Sequence, residues 1–309
     1  MRGSLGTELM VLFHPRVLTK HLQAEGDIAP AKRAILAAWA TSLSQGVYDS
    51  ETQNDAEFIQ RILIDVLGYT GSSSGPTWTV AKNQPVGAGN VDVALGRFTS
   101  EGETQITAPF ELKGAKTKDL DAIMPGRNKS PVQQAWEYAM DAKGAKWVLV
   151  SNYSEIRLYA VGYGRKDYEH FDLSKMSAPA QWGRLLLLLS ADNLLGGRTL
   201  QLLKESEAAE KEITEQLYAE YKETRRRLIR EVLAGVDPAH PLRAVRIAQT
   251  ILDRILFIAF AEDKGLLTKG TLKDAYTTKN HYSPQPAWEN FKGLFNAIDK
   301  GNPRLNIPG

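Results

Sequence analysis

Asp92, Glu111 and Lys113 are of the types, and at the spacing, that could hold a cation and work on a phosphate. Glu111 and Lys113 stand two apart in a β-prone run, so on a strand they point the same way while Phe110 and Leu112 point into the opposite layer. Asp92 sits between Val91 and Val93 in a second alternating run. If the two strands pair through the hairpin between them, the three side chains converge on one polar face. Two carboxylates side by side repel unless a cation bridges them, and oxygen ligands suit Mg²⁺, with Mn²⁺ as its substitute. A metal held by Asp92, Glu111 and the Leu112 carbonyl could polarise a phosphate and acidify a bound water. Lys113 would orient that water and neutralise the developing charge. This is the chemistry of metal-assisted phosphodiester hydrolysis.

A Glu-x-Lys pair alone occurs by chance in most proteins of this size, and its bland counterpart is a solvated strand face. Context separates the two. Asp92 interrupts an otherwise apolar strand, one helix precedes the strands and another follows them. On the following helix Gln134 and Tyr138 are i, i+4 neighbours on one face. Between Glu111 and that helix lies a loop with Lys113, Lys116, Lys118, Arg127 and Lys129 against Asp119 and Asp121. Such a loop beside a metal site suits a phosphate backbone.

The elements that must position these groups follow from periodicity. A helical first segment turns near Gly46; then Ile59, Ile62, Leu63, Val66 and Leu67 make one apolar stripe, with Ser50 and Gln53 as a capping box and Gly68 as the stop. Past the Gly/Ser-rich turn at Gly71–Gly75 the pattern predicts strands at Thr77–Ala81, Asn90–Leu95 and Ile106–Lys113. Gly96–Gln105 reads as a hairpin connection, and Pro109 places the third strand at an edge or beside a bulge. A helix at Ser130–Ala142 and strands at Lys146–Ser151 and Ile156–Val161 complete a mixed α/β domain over residues 1–178.

From residue 179 to 309 the text predicts helices: Trp182–Leu195, a long charged Ser206–Leu233 with Ile213, Leu217, Tyr221, Leu228 and Val232 near one face, and Leu242–Asp263. The charges Asp253-Arg254 and Glu262-Asp263 in the last of these could lie at a contact with a further domain, local ion pairing being the simpler reading, and Trp288, Phe291, Leu294 and Phe295 read as a packing edge. Lys269–Gly309, punctuated by Pro and Gly, reads as a turn-rich tail.

Composition narrows the field. The 309 residues are 43% hydrophobic and 24% charged, ordinary globular values, and the length suggests two domains at ~150 residues each. No cysteine is present, which removes disulfide scaffolds, thiol catalysis and cysteine-ligated zinc. His14, His21, His170, His240 and His281 show no ligand spacing. The net charge of +2 leaves any DNA surface to local clustering. The longest apolar runs fall far short of the ~20 residues of a membrane span, and no signal segment opens the chain, so a cytoplasmic protein is expected. Met1–Ser4 could be a vector-derived leader.

Asp92…Glu111-Leu112-Lys113 followed by Gln134-Ala-Trp-Glu-Tyr138 resembles the PD-(D/E)xK nuclease superfamily with its Gln-x-x-x-Tyr extension. The wider stretches WTVAKNQPVGAGNVDVALG, APFELKGAKTKDLDAI, SPVQQAWEYAMDAKGAKWVLVSNYSEIRLY and AQTILDRILFIAFAEDKGLL look like the amino-terminal half of type IIG restriction–modification enzymes, single chains that join endonuclease, adenine methyltransferase and target recognition. The likeness runs from about residue 50 to the end. It implies Asp92 and Glu111 as metal ligands, Lys113 as the catalytic lysine, and Gln134 and Tyr138 as site-lining groups. The superfamily often adds a glutamate from the preceding helix. Glu51, flanking the apolar stripe, is preferred to Glu57, which falls opposite it. Val91 stands where the superfamily's proline precedes the aspartate.

Residues 179–309 then resemble the helical connector that precedes the methyltransferase in such enzymes. No Asn-Pro-Pro-Tyr-type motif or Phe-x-Gly-x-Gly loop follows, so the chain reads as ending before the methyltransferase. Gly87-Ala-Gly89 precedes a strand instead of leading from one into a helix, so S-adenosylmethionine is not expected to bind here. The resemblance implies a Mg²⁺-dependent endonuclease acting on double-stranded DNA, partnered by methyltransferase and target-recognition domains; one active site cuts both strands only through a transient dimer or by two sequential nicks. The rival expectation is a nuclease-like docking module, silent unless those domains are attached.

Overall fold

In the computed structural model, which describes residues 12–24, 28–48, 51–176, 179–235, 240–279 and 281–302, the strand-forming text assembles into one open six-stranded sheet. Its strands lie in sequence order: β1 (Thr77–Val86), β2 (Gly89–Thr99), β3 (Thr104–Leu112), β4 (Trp147–Ser151), β5 (Glu155–Ala160) and β6 (Tyr168–Asp172). All neighbours pair antiparallel except β3 and β4, which are parallel. A parallel pair needs a crossover, and helix α4 (Pro131–Asp141) lies on it. The predicted α/β class holds, with a mixed sheet.

One face of the sheet carries Phe110, Leu112, Leu149, Ile156 and Leu158 into a large cluster with Trp39, Ile62, Val66, Leu185 and Leu188. Those partners come from α2 (Pro30–Ser44), from the segment after α3 (Glu51–Phe58) and from α5 (Pro179–Leu189); α1 (Pro15–Ala24) adds Val17 and Leu18. The opposite face sets Val148, Val150 and Tyr159 against Val132, Ala135, Trp136 and Ala139 of α4. Because both faces are covered by apolar side chains, β4 and most of β5 are buried on both sides.

Several elements differ from their sequence pattern for local reasons. The stripe from Ile59 to Leu67 is buried as expected, but Ile59–Val66 winds as a π-helix continuing α3, and Gly68 ends it at φ +81°. Over two turns a slightly wider period buries the same residues. The β2–β3 connection is only residues 100–103, the strands running on to Thr99 and from Thr104. Pro109 is in a central strand, opposite Ala94, and not at an edge; the ladder shifts register close by, between Leu95 and Gly96. A Cβ on Gly96 would stand 1.9 Å from the Gln105 carbonyl oxygen, so this irregularity requires glycine. Strand β6 left no hydropathy signal because its inward residues are Glu169 and Phe171, a carboxylate alternating with a ring.

The chain divides into two compact units, Met1–Glu212 and Ile213–Gly309, within helix α7 (Arg198–Leu233). The first unit runs past the expected 178/179 boundary because α5, α6 (Ala191–Gly196) and the start of α7 bury Leu185, Leu194, Leu202 and Leu203 in the sheet's cluster. The helix expected over Trp182–Leu195 is broken at Ser190 into α5 and α6. Of the apolar positions predicted for α7, Ile213 and Leu217 are exposed.

In the second unit α8 (Pro241–Asp263) is followed by α9 (Thr271–Thr277) and α10 (Pro286–Lys300), where turns were expected. Pro286 opens α10, a position where proline starts a helix. Glu262 accepts from the Gly270 and Leu272 amides at 2.9 and 2.7 Å, satisfying the first turn of α9. Arg254 pairs with Asp299 of α10 at 2.9 Å instead of a near neighbour. Leu294 and Phe295 pack with Ile258 as the predicted edge.

Glu169 is 1% exposed, and burial pushes its carboxyl up to about 7, only partly offset by Arg184 and His170. Between its ordinary 4.5 and that value the folded chain keeps a proton the unfolded chain has released, so stability falls as pH rises through this window. Against Glu169→Gln, the wild type should lose up to about 3 kcal/mol from pH 4.5 to 7. Denaturant melts across that range read the difference; two parallel pH profiles would refute it.

Candidate active site

The register of β2 and β3 pairs Val93 with Phe110 and Ala94 with Pro109. Carried one step further, it sets Asp92 beside Glu111. The Leu112 amide donates to Asp92 Oδ2 at 2.9 Å and fixes that carboxylate. Glu111 and Lys113 lie on the same side of the chain, 0% and 1% exposed, while Phe110 and Leu112 pack into the opposite cluster. Past the end of β3 the Lys113 amide still donates to the Ser151 carbonyl at 2.8 Å, so β4 holds the lysine's backbone in line.

The Lys113 ammonium lies 2.7 Å from Glu111 Oε1, 2.6 Å from the Leu112 carbonyl oxygen and 3.7 Å from Asp92 Oδ2. The chain thus brings its own cation to the oxygens the sequence assigns to a metal. Burial raises Glu111 to about 7, and the Asp92 charge adds to this, while Lys113 and Arg127 oppose it. The second oxygen, Glu111 Oε2, is buried without a hydrogen-bond partner. A buried acceptor left open is costly, and it fits a site made to take a further cation. Among the described residues no three His, Cys, Asp or Glu side chains group to hold a metal. The donor set is two carboxylates and a carbonyl, all hard oxygen.

Helix α4 supplies the other wall. Ser130 accepts from the Gln133 amide, and the Gln133 side chain accepts from the Ser130 amide, a reciprocal cap behind Pro131. One turn apart on this helix, Gln134 Nε2 donates to the Tyr138 hydroxyl at 3.4 Å. Gln134 Oε1 accepts from Arg127 Nη1 at 3.1 Å, and that guanidinium nitrogen is 4.0 Å from Glu111 Oε1. Gly89, at the start of β2, lies under the Tyr138 ring, where a Cβ would come within 3.2 Å. Asp92, Glu111, Lys113, Gln134 and Tyr138 therefore line one region, joined through Arg127.

The Glu51 side chain lies outside the described residues. Glu57 is exposed, as its place on the helix implied, and accepts from the Tyr48 hydroxyl at 3.1 Å. The same turn also offers Asp55, hydrogen-bonded to the Tyr153 hydroxyl.

The basic loop is pinned to the sheet. Leu120 is fully buried, Asn152 donates to the Thr117 carbonyl at 2.8 Å, and Arg157 pairs with Asp121 at 2.7 Å. Leu120 is one of three large apolar residues in the loop, with Ile123 and Met124, and Ile123 is exposed, so the sequence did not mark which one anchors it. Nothing in the sequence singled out Arg127 from the other loop bases, because its partners lie on β3 and α4.

Compared with known proteins, the sequence matches no protein-family profile, no curated protein and no solved structure at a significant level. No helix among the described residues is long and apolar enough to cross a membrane.

The cap on α4 should be separable from the chemistry. Ser130→Ala removes one half of the reciprocal pair, with an expected loss of about 1 kcal/mol. Thermal melts of the two proteins measure it, and an unchanged midpoint would mean the cap is not holding the helix.

Proposed function

We propose that the chain is a Mg²⁺-dependent DNA endonuclease of the PD-(D/E)xK type. The observation that carries this reading is the buried Glu111, with one open oxygen, next to Asp92, Lys113 and the Leu112 carbonyl. Asp92, Glu111 and Leu112 O would hold Mg²⁺ or Mn²⁺, which when bound supplies a polarised phosphate and a more acidic water. With those oxygens engaged, the Lys113 ammonium would be kept beside the reacting phosphate by its short reach from the end of β3. There it orients a water and offsets the charge that grows on the phosphoryl oxygens. Tyr138 and Gln134 line the opposite wall, and the exposed Lys116 and Lys118 on the pinned loop would meet the duplex backbone. On the same reading, 213–309 belongs to the helical connector of a type IIG restriction–modification enzyme, a cytoplasmic protein whose methyltransferase and recognition parts choose the target.

The test pairs supercoiled-plasmid nicking with calorimetric titration of Mn²⁺. Asp92→Ala and Lys113→Ala should remain folded, Lys113→Ala with a lowered melting midpoint because Glu111 loses its buried partner, and lose at least about 10²-fold in nicking. Glu111→Ala should lose metal binding. Lys113→Met should bind metal about tenfold more tightly, because one competing charge is gone, and still not nick. Nicking retained by purified Asp92→Ala or Lys113→Ala overturns the assignment. Metal binding without nicking in the wild type points instead to a docking module.

A further inference from the structure

We propose that Arg127 is the residue that grips the phosphate at the cleaved position, with Gln134 as the positioning residue that holds it there. This rests on the nuclease reading and adds to it a contact that the motif residues do not supply.

Beyond Lys113, Arg127 also brings its head group to the carboxylates: Nη1 is 4.0 Å from Glu111 Oε1 and donates to Gln134 Oε1 at 3.1 Å. Lys129, two residues on, is turned to the exposed Glu137. The backbone is shaped to this end. Met124 N donates to Lys129 O at 3.1 Å and Arg127 N to Met124 O at 3.2 Å, closing a tight turn. Gly126 at φ +78° and Asn128 at φ +52° flank the arginine in the left-handed region. For asparagine that conformation is uncommon, and such backbone gathers at functional sites.

The manner of holding matters. At 4.0 Å the guanidinium feels the Glu111 charge without being consumed in a hydrogen-bonded pair with it. Its one hydrogen bond here is to a neutral amide, and its side chain is 54% exposed. The guanidinium has five donors in a planar fork, so the outward edge remains for a bidentate grip on phosphate oxygens. Gln134 serves both neighbours: its oxygen accepts from Arg127 and its amide nitrogen donates to Tyr138, which orients the amide.

The experiment is fluorescence anisotropy of a short DNA duplex in EDTA at several salt concentrations, together with plasmid nicking, for the full chain, Arg127→Ala and Arg127→Lys. Loss of one phosphate contact should lower the slope of log Kd against log salt by about 1. Arg127→Lys should keep the slope, because the charge stays, and keep little of the nicking rate, because the fork is lost. Arg127→Ala with a wild-type slope overturns the assignment of Arg127 alone. The slope reads Arg127 even where the isolated chain does not nick. A wild type that fails to bind duplex overturns the nuclease reading, and Arg127's role with it.

Discussion

The structure depends on one uncomfortable contact: an ammonium and a carboxylate, both buried, at the end of a central strand beside a second carboxylate. Taking two charges out of water costs several kcal/mol per ion, and apolar groups of the same volume would serve a core as well or better. The sheet nonetheless places Glu111 and Lys113 where β2, β3 and β4 hold them from both sides. The ladder contributes directly, since the Leu112 amide, free of β2 at this point, fixes Asp92. An arrangement that leaves Glu111 Oε2 open in the interior is one that folding alone would not select.

Around that contact the fold works to keep a long connection still. Between β3 and α4 the chain runs from Lys113 to Ser130 without regular structure, a length more typical of functional loops than of plain connectors. Leu120 plugs it into the α4 face of the sheet, and Asp121 is held by Arg157. Arg157 in turn stacks over Tyr168 and pairs with Glu155. Burial raises the Glu155 carboxyl, but His170 and Arg157 outweigh it and hold it below the usual carboxylate range. The β5–β6 edge, remote from the carboxylates in sequence, is thereby part of what presents the basic loop.

What could be read from the sequence was what local periodicity encodes. Glu111 and Lys113 two apart on a strand, Gln134 and Tyr138 four apart on a helix, and the Ser130 helix start follow from spacing alone. Asp92 needed one long-range assumption, that its strand pairs with the next, and adjacent strands usually do. Arg127 could not be found in that way, because its position is set by a turn with two left-handed residues and by partners on two other elements. For the same reason β6 escaped: its burial is a property of what packs on it. The helices α9 and α10 were hidden by Pro and Gly, which here start and flank helices instead of ending them.

The charges at the site also constrain the order in which it can be filled. Asp92 and Glu111 are balanced by Lys113 and Arg127, so the cluster is near neutrality as it stands. A DNA phosphate entering alone would meet two carboxylates whose compensating ammonium is already committed, and the repulsion in a low-dielectric pocket is strong. A divalent cation entering alone would have to displace the Lys113 ammonium from the same oxygens. Together the two would compensate each other: the anion would take the guanidinium edge and the displaced ammonium, and the cation the carboxylates. On the nuclease reading, binding of phosphate and binding of metal are therefore coupled, and the coupling is reciprocal.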